Sequence, residues 1–215
     1  MSRIFSALLA AAFVAAAGTG ASAQVQPQWY VRTGPAVVTT DEKAELYAAG
    51  TLVPGADVSI ENETTVAVEV GRFVTRNIAL SLTGGFPPTF EVESAGSLSG
   101  LGRDGEIVGG PAALTAHYHL NRGGRFQPYA GAGVALMYVF DTKDGVVTEV
   151  EVDSAFGPAV QVGADYMVTP RWGAFVDFKK AWISSEARGF LGGAPVKADV
   201  QLDPAVVSAG VTLVF

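Results

Sequence analysis

Residues 154–184 read SAFGPAVQVGADYMV, then Thr169-Pro170, then RWGAFVDFKKAWIS, and the pattern in this stretch decides the fold. In the first half Phe156, Pro158, Val160, Val162, Ala164 and Tyr166 share one side, while Gln161, Gly163 and Asp165 share the other. In the second half Trp172, Ala174, Val176 and Phe178 oppose Asp177 and Lys179. A period of two with one apolar and one polar or small face is that of a strand, not a helix. A two-residue connection between two such runs makes them an antiparallel pair.

The same reading extends outward to eight strand-like segments: Trp29–Val38, Thr64–Val74, Asn77–Phe86, Glu106–Leu120, Phe126–Phe140, Ser154–Val168, Arg171–Ser184 and Ala205–Phe215. The connections alternate in kind. Thr75-Arg76, Asn121–Arg125 and Thr169-Pro170 are tight turns; Thr39–Glu63, Pro87–Gly105, Asp141–Asp153 and Ser185–Pro204 are long and polar. All short turns at one end and all long loops at the other is the arrangement of an outer-membrane barrel, with turns in the periplasm and loops outside the cell. The expectation is an all-β, eight-stranded antiparallel transmembrane barrel. Aromatic residues gather near both ends of the strands, as interfacial girdles require. Trp29, Tyr30, Phe73, Tyr118, Tyr129, Tyr166, Trp172 and Phe215 fall on the turn side; Phe86, Phe140, Phe156 and Trp182 fall on the loop side.

Composition agrees. Of 215 residues 49% are hydrophobic and 16% charged, with 26 glycines and no cysteine. No apolar run after the N-terminus is long enough for a spanning helix, so the hydrophobicity has to be carried on alternate strand positions. The lack of cysteine excludes disulfides and thiolate metal sites. Arg3, the apolar run Ile4–Ala17 and Ala21-Ser22-Ala23 together read as an export signal cleaved before Gln24, leaving residues 24–215 as one barrel domain. Loss of Arg3 takes the net charge from −7 to −8, which argues against nucleic acid as a partner. The expected location is the Gram-negative outer membrane. The expected partners are its lipid and lipopolysaccharide, with the acidic third loop (Asp141, Asp144, Glu149, Glu151, Asp153) open to weak divalent-ion contacts there.

Several segments resemble the OmpW family of small outer-membrane barrels. They are Trp29-Tyr30-Val31-Arg32-x-Gly34, Gln127-Pro128-Tyr129-Ala130-Gly131-Ala132-Gly133, Asp153-Ser154, Gln161-Val162-Gly163-Ala164-Asp165-Tyr166 and the terminal Phe215. The resemblance implies a narrow barrel that passes small hydrophobic molecules, and assembly through Phe215 by the barrel-assembly machinery. The chain departs from the family at Gly85-Phe86-Pro87-Pro88-Thr89-Phe90, where a histidine is usual and none stands.

An eight-stranded barrel has room inside for side chains and little else. The inward set read from the alternation is Arg32, Glu69, Thr115, His117, His119, Gln161, Asp165, Asp177 and Lys179, which mixes signs and reads first as a charge-paired plug. Val134, Leu136, Tyr138 and Phe140 are read as an apolar lining of the loop-side lumen if Ala130 faces in. Pro87, Pro88, Pro111 and Pro158 lie at loop-side strand ends, and proline cannot donate to a ladder. These prolines suggest a lateral opening through which a lipophilic ligand leaves sideways. Apolar residues among the polar loops, including Leu46, Phe90, Leu101 and Phe190, suit a ligand-binding mouth.

No catalytic, cofactor or metal site is read. Gly131-Ala132-Gly133 is half of a dinucleotide fingerprint without its helix. His117-x-His119 has metal-ligand spacing but no third ligand. Two other readings stand beside transport: a structural barrel with a plugged lumen and contact-making loops, and a lipid-modifying enzyme. The enzyme would need active residues on the lipid face, whereas both histidines read as inward.

Overall fold

The computed structural model describes residues 28–99 and 103–215; the leader read at residues 1–23 and Leu101 lie outside them. The strands are β1 (Trp29–Thr39), β2 (Lys43–Ala48), β3 (Thr51–Leu52), β4 (Ala56–Ile60), β5 (Glu63–Phe73), β6 (Ile78–Gly85), β7 (Thr89–Gly96), β8 (Arg103–His119), β9 (Phe126–Asp144), β10 (Val147–Val152), β11 (Ala155–Met167), β12 (Trp172–Ala181), β13 (Ser184–Leu191), β14 (Ala194–Gln201) and β15 (Ala205–Val214). Eight of them, β1, β5, β6, β8, β9, β11, β12 and β15, form a closed antiparallel barrel. The first and last close on each other through Tyr30↔Val214 to Thr39↔Ala205, and β8 joins β9 from Gly105↔Asp144 to His119↔Tyr129. Closure pairs most backbone polar groups within the wall and removes the free first and last edges.

The outer face is a band of exposed apolar side chains, among them Leu82, Leu114, Val162, Val176 and Val211. Tyr118, Tyr166, Trp172 and Phe215 face outward at the turn end, and Phe86, Phe140, Phe156 and Trp182 at the loop end. Three members of the expected girdle do not join it. Tyr30, Phe73 and Tyr129 are buried inside the barrel, because they keep step with the inward Arg32, Glu69 and Gly131.

The long connections are themselves largely strands. β8 and β9 are 17 and 19 residues long, well beyond the ~9–11 that span a bilayer. Their upper halves carry β7 and β4 as a continuation of the wall. Facing them is a second sheet in the order β10-β13-β14-β2-β3. These strands read as polar loops because they are short and their solvent side is charged. In β14, Val196, Ala198 and Val200 turn inward while Lys197 and Asp199 turn out. The β13–β14 hairpin turns on Gly192 and Gly193, with φ of 58° and 84°, the left-handed pair that a two-residue type I′ turn requires.

Candidate functional site

The lumen has two chemically different levels. At the turn-end level Arg32, Glu69, Thr115, His117, His119, Gln161, Asp165, Asp177 and Lys179 are all buried inside the barrel. Arg32 donates from Nε (2.9 Å) and Nη2 (2.5 Å) to the two oxygens of Asp165 and from Nη1 (2.6 Å) to Glu69. This is the bidentate geometry that guanidinium favours with a carboxylate. Lys179 Nζ donates to Glu69 at 3.0 Å and Asp177 at 2.5 Å. Gln161 Nε2 bridges the same two carboxylates at 2.9 and 2.6 Å, and Thr83 adds a donor to Glu69 at 3.0 Å. A buried ion cluster is tolerable only when each charge is met in this way.

Sequence reasoning missed several members of the network. Tyr129 donates to Asp177 at 2.7 Å, and Ser81 lies 2.8 Å from His117 Nε2. The Arg32 guanidinium lies over the rings of Tyr30 and Tyr129, at 4.5 and 4.2 Å from their centroids. Ser81 and Thr83 could have been read from Asn77–Gly85, where Ala79, Ser81 and Thr83 oppose Ile78, Leu80 and Leu82. The two tyrosines fit because glycine stands directly opposite each. Tyr30 pairs with Gly71 and Tyr129 with Gly163; a Cβ there would lie 2.1 and 2.4 Å from the tyrosine. His119 makes ring contacts with Phe73 (4.8 Å) and Tyr129 (4.9 Å), and neither of its nitrogens has a hydrogen-bond partner. No group of three or more His, Cys, Asp or Glu with the spacing of a metal site occurs among the described residues.

Above this floor the lumen is apolar. Ala113, Ala135, Met137, Ala159, Ala181 and Ile183 form one buried cluster. Small side chains there leave a cavity of about 150 Å³ against the wall at Gly84–Pro88 and Gly110–Ala112. A second cavity, of about 140 Å³, lies between the two external sheets, lined by Leu46, Ile60, Phe90, Val139, Val150 and Val200 among others. Met137 lines the outer cavity and Ala113, Ala135, Ala159 and Ala181 the inner one, so this packed cluster is the partition between them.

The wall beside the inner cavity is incomplete. β6 pairs with β8 from Ile78↔Tyr118 to Thr83↔Ala113, where the ladder stops. Pairing on that edge of β8 resumes only at Val108↔Thr89, after a 3.2 Å bond from Gly109 N–H to the Pro88 carbonyl. Gly110, Pro111 and Ala112 thus face Gly84–Pro88 without a ladder, a gap of roughly 10 Å at the usual rise per residue. Pro87, Pro88 and Pro111 border it. Pro158 does not: it sits in the unbroken β9–β11 ladder opposite Val134, and its carbonyl accepts Trp182 N–H at 3.1 Å.

The facing read for β9 is also corrected. Val134, Leu136, Tyr138 and Phe140 point out of the barrel, while Tyr129, Ala135 and Met137 point in. The buried Tyr129 phenol anchors the strand, and the alternation follows from it.

Comparison with known proteins supplies the family. The OmpW family model matches residues 26–215. Outer membrane protein AlkL of Ectopseudomonas oleovorans is 34% identical over 179 residues, covering 83% of this chain and 78% of its own. The dibenzothiophene metabolism operon protein PahQ of Pseudomonas aeruginosa is 32% identical over 183 residues, covering 85% of this chain and 86% of its own. Among solved structures, the outer membrane protein OprG of Pseudomonas aeruginosa superposes with a TM-score of 0.82 at 23% identity, over 87% of this chain and 95% of that one, which bears on the fold. The chain belongs to the OmpW family and is an outer-membrane β-barrel.

Proposed function

We propose that this barrel takes small hydrophobic molecules from outside the cell into its apolar upper chamber and releases them sideways into the outer membrane. The observation that carries this reading is the apolar inner cavity that borders the gap between β6 and β8, above a floor closed by ion pairs and one packed layer below a second apolar cavity between the external sheets. An apolar solute gains nothing from a charged lumen but gains transfer free energy at each step toward lipid, so the route of descending free energy turns sideways. Relatives support it as well: PahQ is named for an operon of dibenzothiophene metabolism, and dibenzothiophene is an apolar aromatic compound.

The test uses the absence of native cysteine. Cells carrying the Gly84→Cys/Ala112→Cys variant are given dibenzothiophene or a liquid alkane, and uptake is followed before and after bridging the thiols with a short bis-thiol-reactive linker. Uptake should fall at least tenfold on bridging and return when a cleavable linker is reduced. Equal uptake in the bridged and free states removes the lateral route. Equal uptake in cells with and without the protein removes transport altogether and leaves the plugged structural barrel.

A further inference from the structure

The two ends of the barrel carry opposite charge. Arg72, Arg76, Arg122, Arg125 and Arg171 lie at the turn end, and no aspartate or glutamate lies on the rim there among the described residues. Apart from the interior Glu69, Asp165 and Asp177, the acidic residues all lie on the loop side. Arg122 is committed to the protein: it lies over the Phe73 ring, 3.3 Å from its centroid, and donates to Gln28 and to the Arg76 carbonyl. The other four arginines show no side-chain hydrogen bond and no ion pair among the described residues. Arg76, Arg125 and Arg171 are exposed on turns, and Arg72 faces outward on β5 beside Trp29, its guanidinium 5.4 Å from that ring. Arg72 Nε is buried without a hydrogen-bond partner.

Depth identifies the partner. Tyr118, Phe126, Tyr166 and Trp172 are exposed on the outer face beside these turns, and such aromatics sit at headgroup level. The turns are short, so their guanidinium groups remain at that level and do not reach into the periplasm. Guanidinium is matched to phosphate by its planar fork of donors.

We propose that Arg72, Arg76, Arg125 and Arg171 form a binding rim for anionic phospholipid headgroups of the inner leaflet. The rim holds the barrel at fixed depth and enriches phosphate-bearing lipids of net negative charge around it. It is independent of the transport route, since none of the four lines either apolar cavity.

The test is the association of spin-labelled phosphatidylglycerol, relative to spin-labelled phosphatidylcholine, with the full barrel in phosphatidylcholine bilayers. A preference of roughly fivefold is expected, the ratio for one arginine at an anionic surface. It should fall to parity in the Arg72→Gln/Arg76→Gln/Arg125→Gln/Arg171→Gln variant and persist in part when the same four become lysine. Folding is checked by heat-modifiable gel migration. Should the glutamine variant not fold, the wild-type preference must still fall as salt rises from roughly 0.05 to 0.5 M. No preference in the wild type, or a preference untouched by the glutamine substitutions or by salt, overturns the proposal. So does retention of a soluble polyglutamate peptide without any lipid preference, which assigns the rim to an acidic protein.

Discussion

The lower lumen and the upper lumen are lined by the same eight strands yet are opposite materials. Below, five charged side chains, Arg32, Glu69, Asp165, Asp177 and Lys179, interlock with Gln161, Thr83, Thr115 and Tyr129 and fill the space. Above, Ala113, Ala135, Ala159 and Ala181 leave space open beside an incomplete wall. The fold sets the alternation of faces, and the size and polarity of the inward residue then decide whether a level of the barrel is a stopper or a passage. The boundary is sharp: Lys179 in the floor and Ala181 in the chamber are successive inward positions of β12.

The contrast can be broken most severely from below. Glu69→Ala removes the carboxylate that Arg32 and Lys179 share, leaving each with one aspartate and Thr83 without its acceptor, and should cost about 3 kcal/mol, the low end for breaking a buried pair. Urea unfolding in micelles measures it, and a loss under about 1 kcal/mol would mean that water already enters the floor. Gly163→Ala presses a methyl group into Tyr129 and should cost about 1–3 kcal/mol by overpacking. Adding Tyr129→Phe should relieve little of that, because the ring remains and the 2.7 Å bond to Asp177 is lost.

Met137→Ala in the upper lumen should cost about 2 kcal/mol, the low end for such a deletion, since the side chain already borders a cavity. Its uptake phenotype should be mild or absent. Ala159→Phe, which fills the inner cavity beside the gap, should block uptake at smaller cost to the fold.

The smallest effect belongs to the external sheet. The Lys197 ammonium and Arg188 guanidinium hold the partly exposed Glu186 carboxyl below its ordinary range. A depressed carboxylate contributes above its unfolded-state pKa and loses that contribution as pH falls through the folded value. Amide protection factors in β13 and β14, taken relative to the intrinsic exchange rate at each pH, should therefore fall below the usual carboxylate range, while those around the floor do not change.

Alternation made the eight barrel strands legible to within a few residues, because one face must be apolar along the whole membrane-spanning length. It also showed which residues point inward wherever the opposite face is plainly different, as with Gln161 and Asp165 against Val162 and Tyr166. It failed on β9 for a physical reason. Where the lumen is itself apolar, Ala135 and Met137 inside look no more polar than Val134 and Leu136 outside, and Gly131 and Gly133 carry no sign at all. Tyr129 held the answer, but its partner Asp177 lies 48 positions away. The external strands were hidden by charge on their solvent side. The gap between β6 and β8 was half visible: proline marks the place where a ladder cannot form, but Pro158 shows that proline can also sit within a ladder whose other groups are paired.

The tyrosine–glycine pairs have a consequence for assembly. A strand that slips by one position turns its apolar side to the lumen and is rejected by lipid. A slip of two keeps both faces correct, so the bilayer cannot tell it from the native arrangement. Such a slip would set Tyr30 against Glu69 or Phe73 in place of Gly71, and Tyr129 against Gln161 or Asp165 in place of Gly163. Only glycine leaves room for the ring. The two pairs therefore discriminate by volume between alignments that hydrophobicity leaves degenerate.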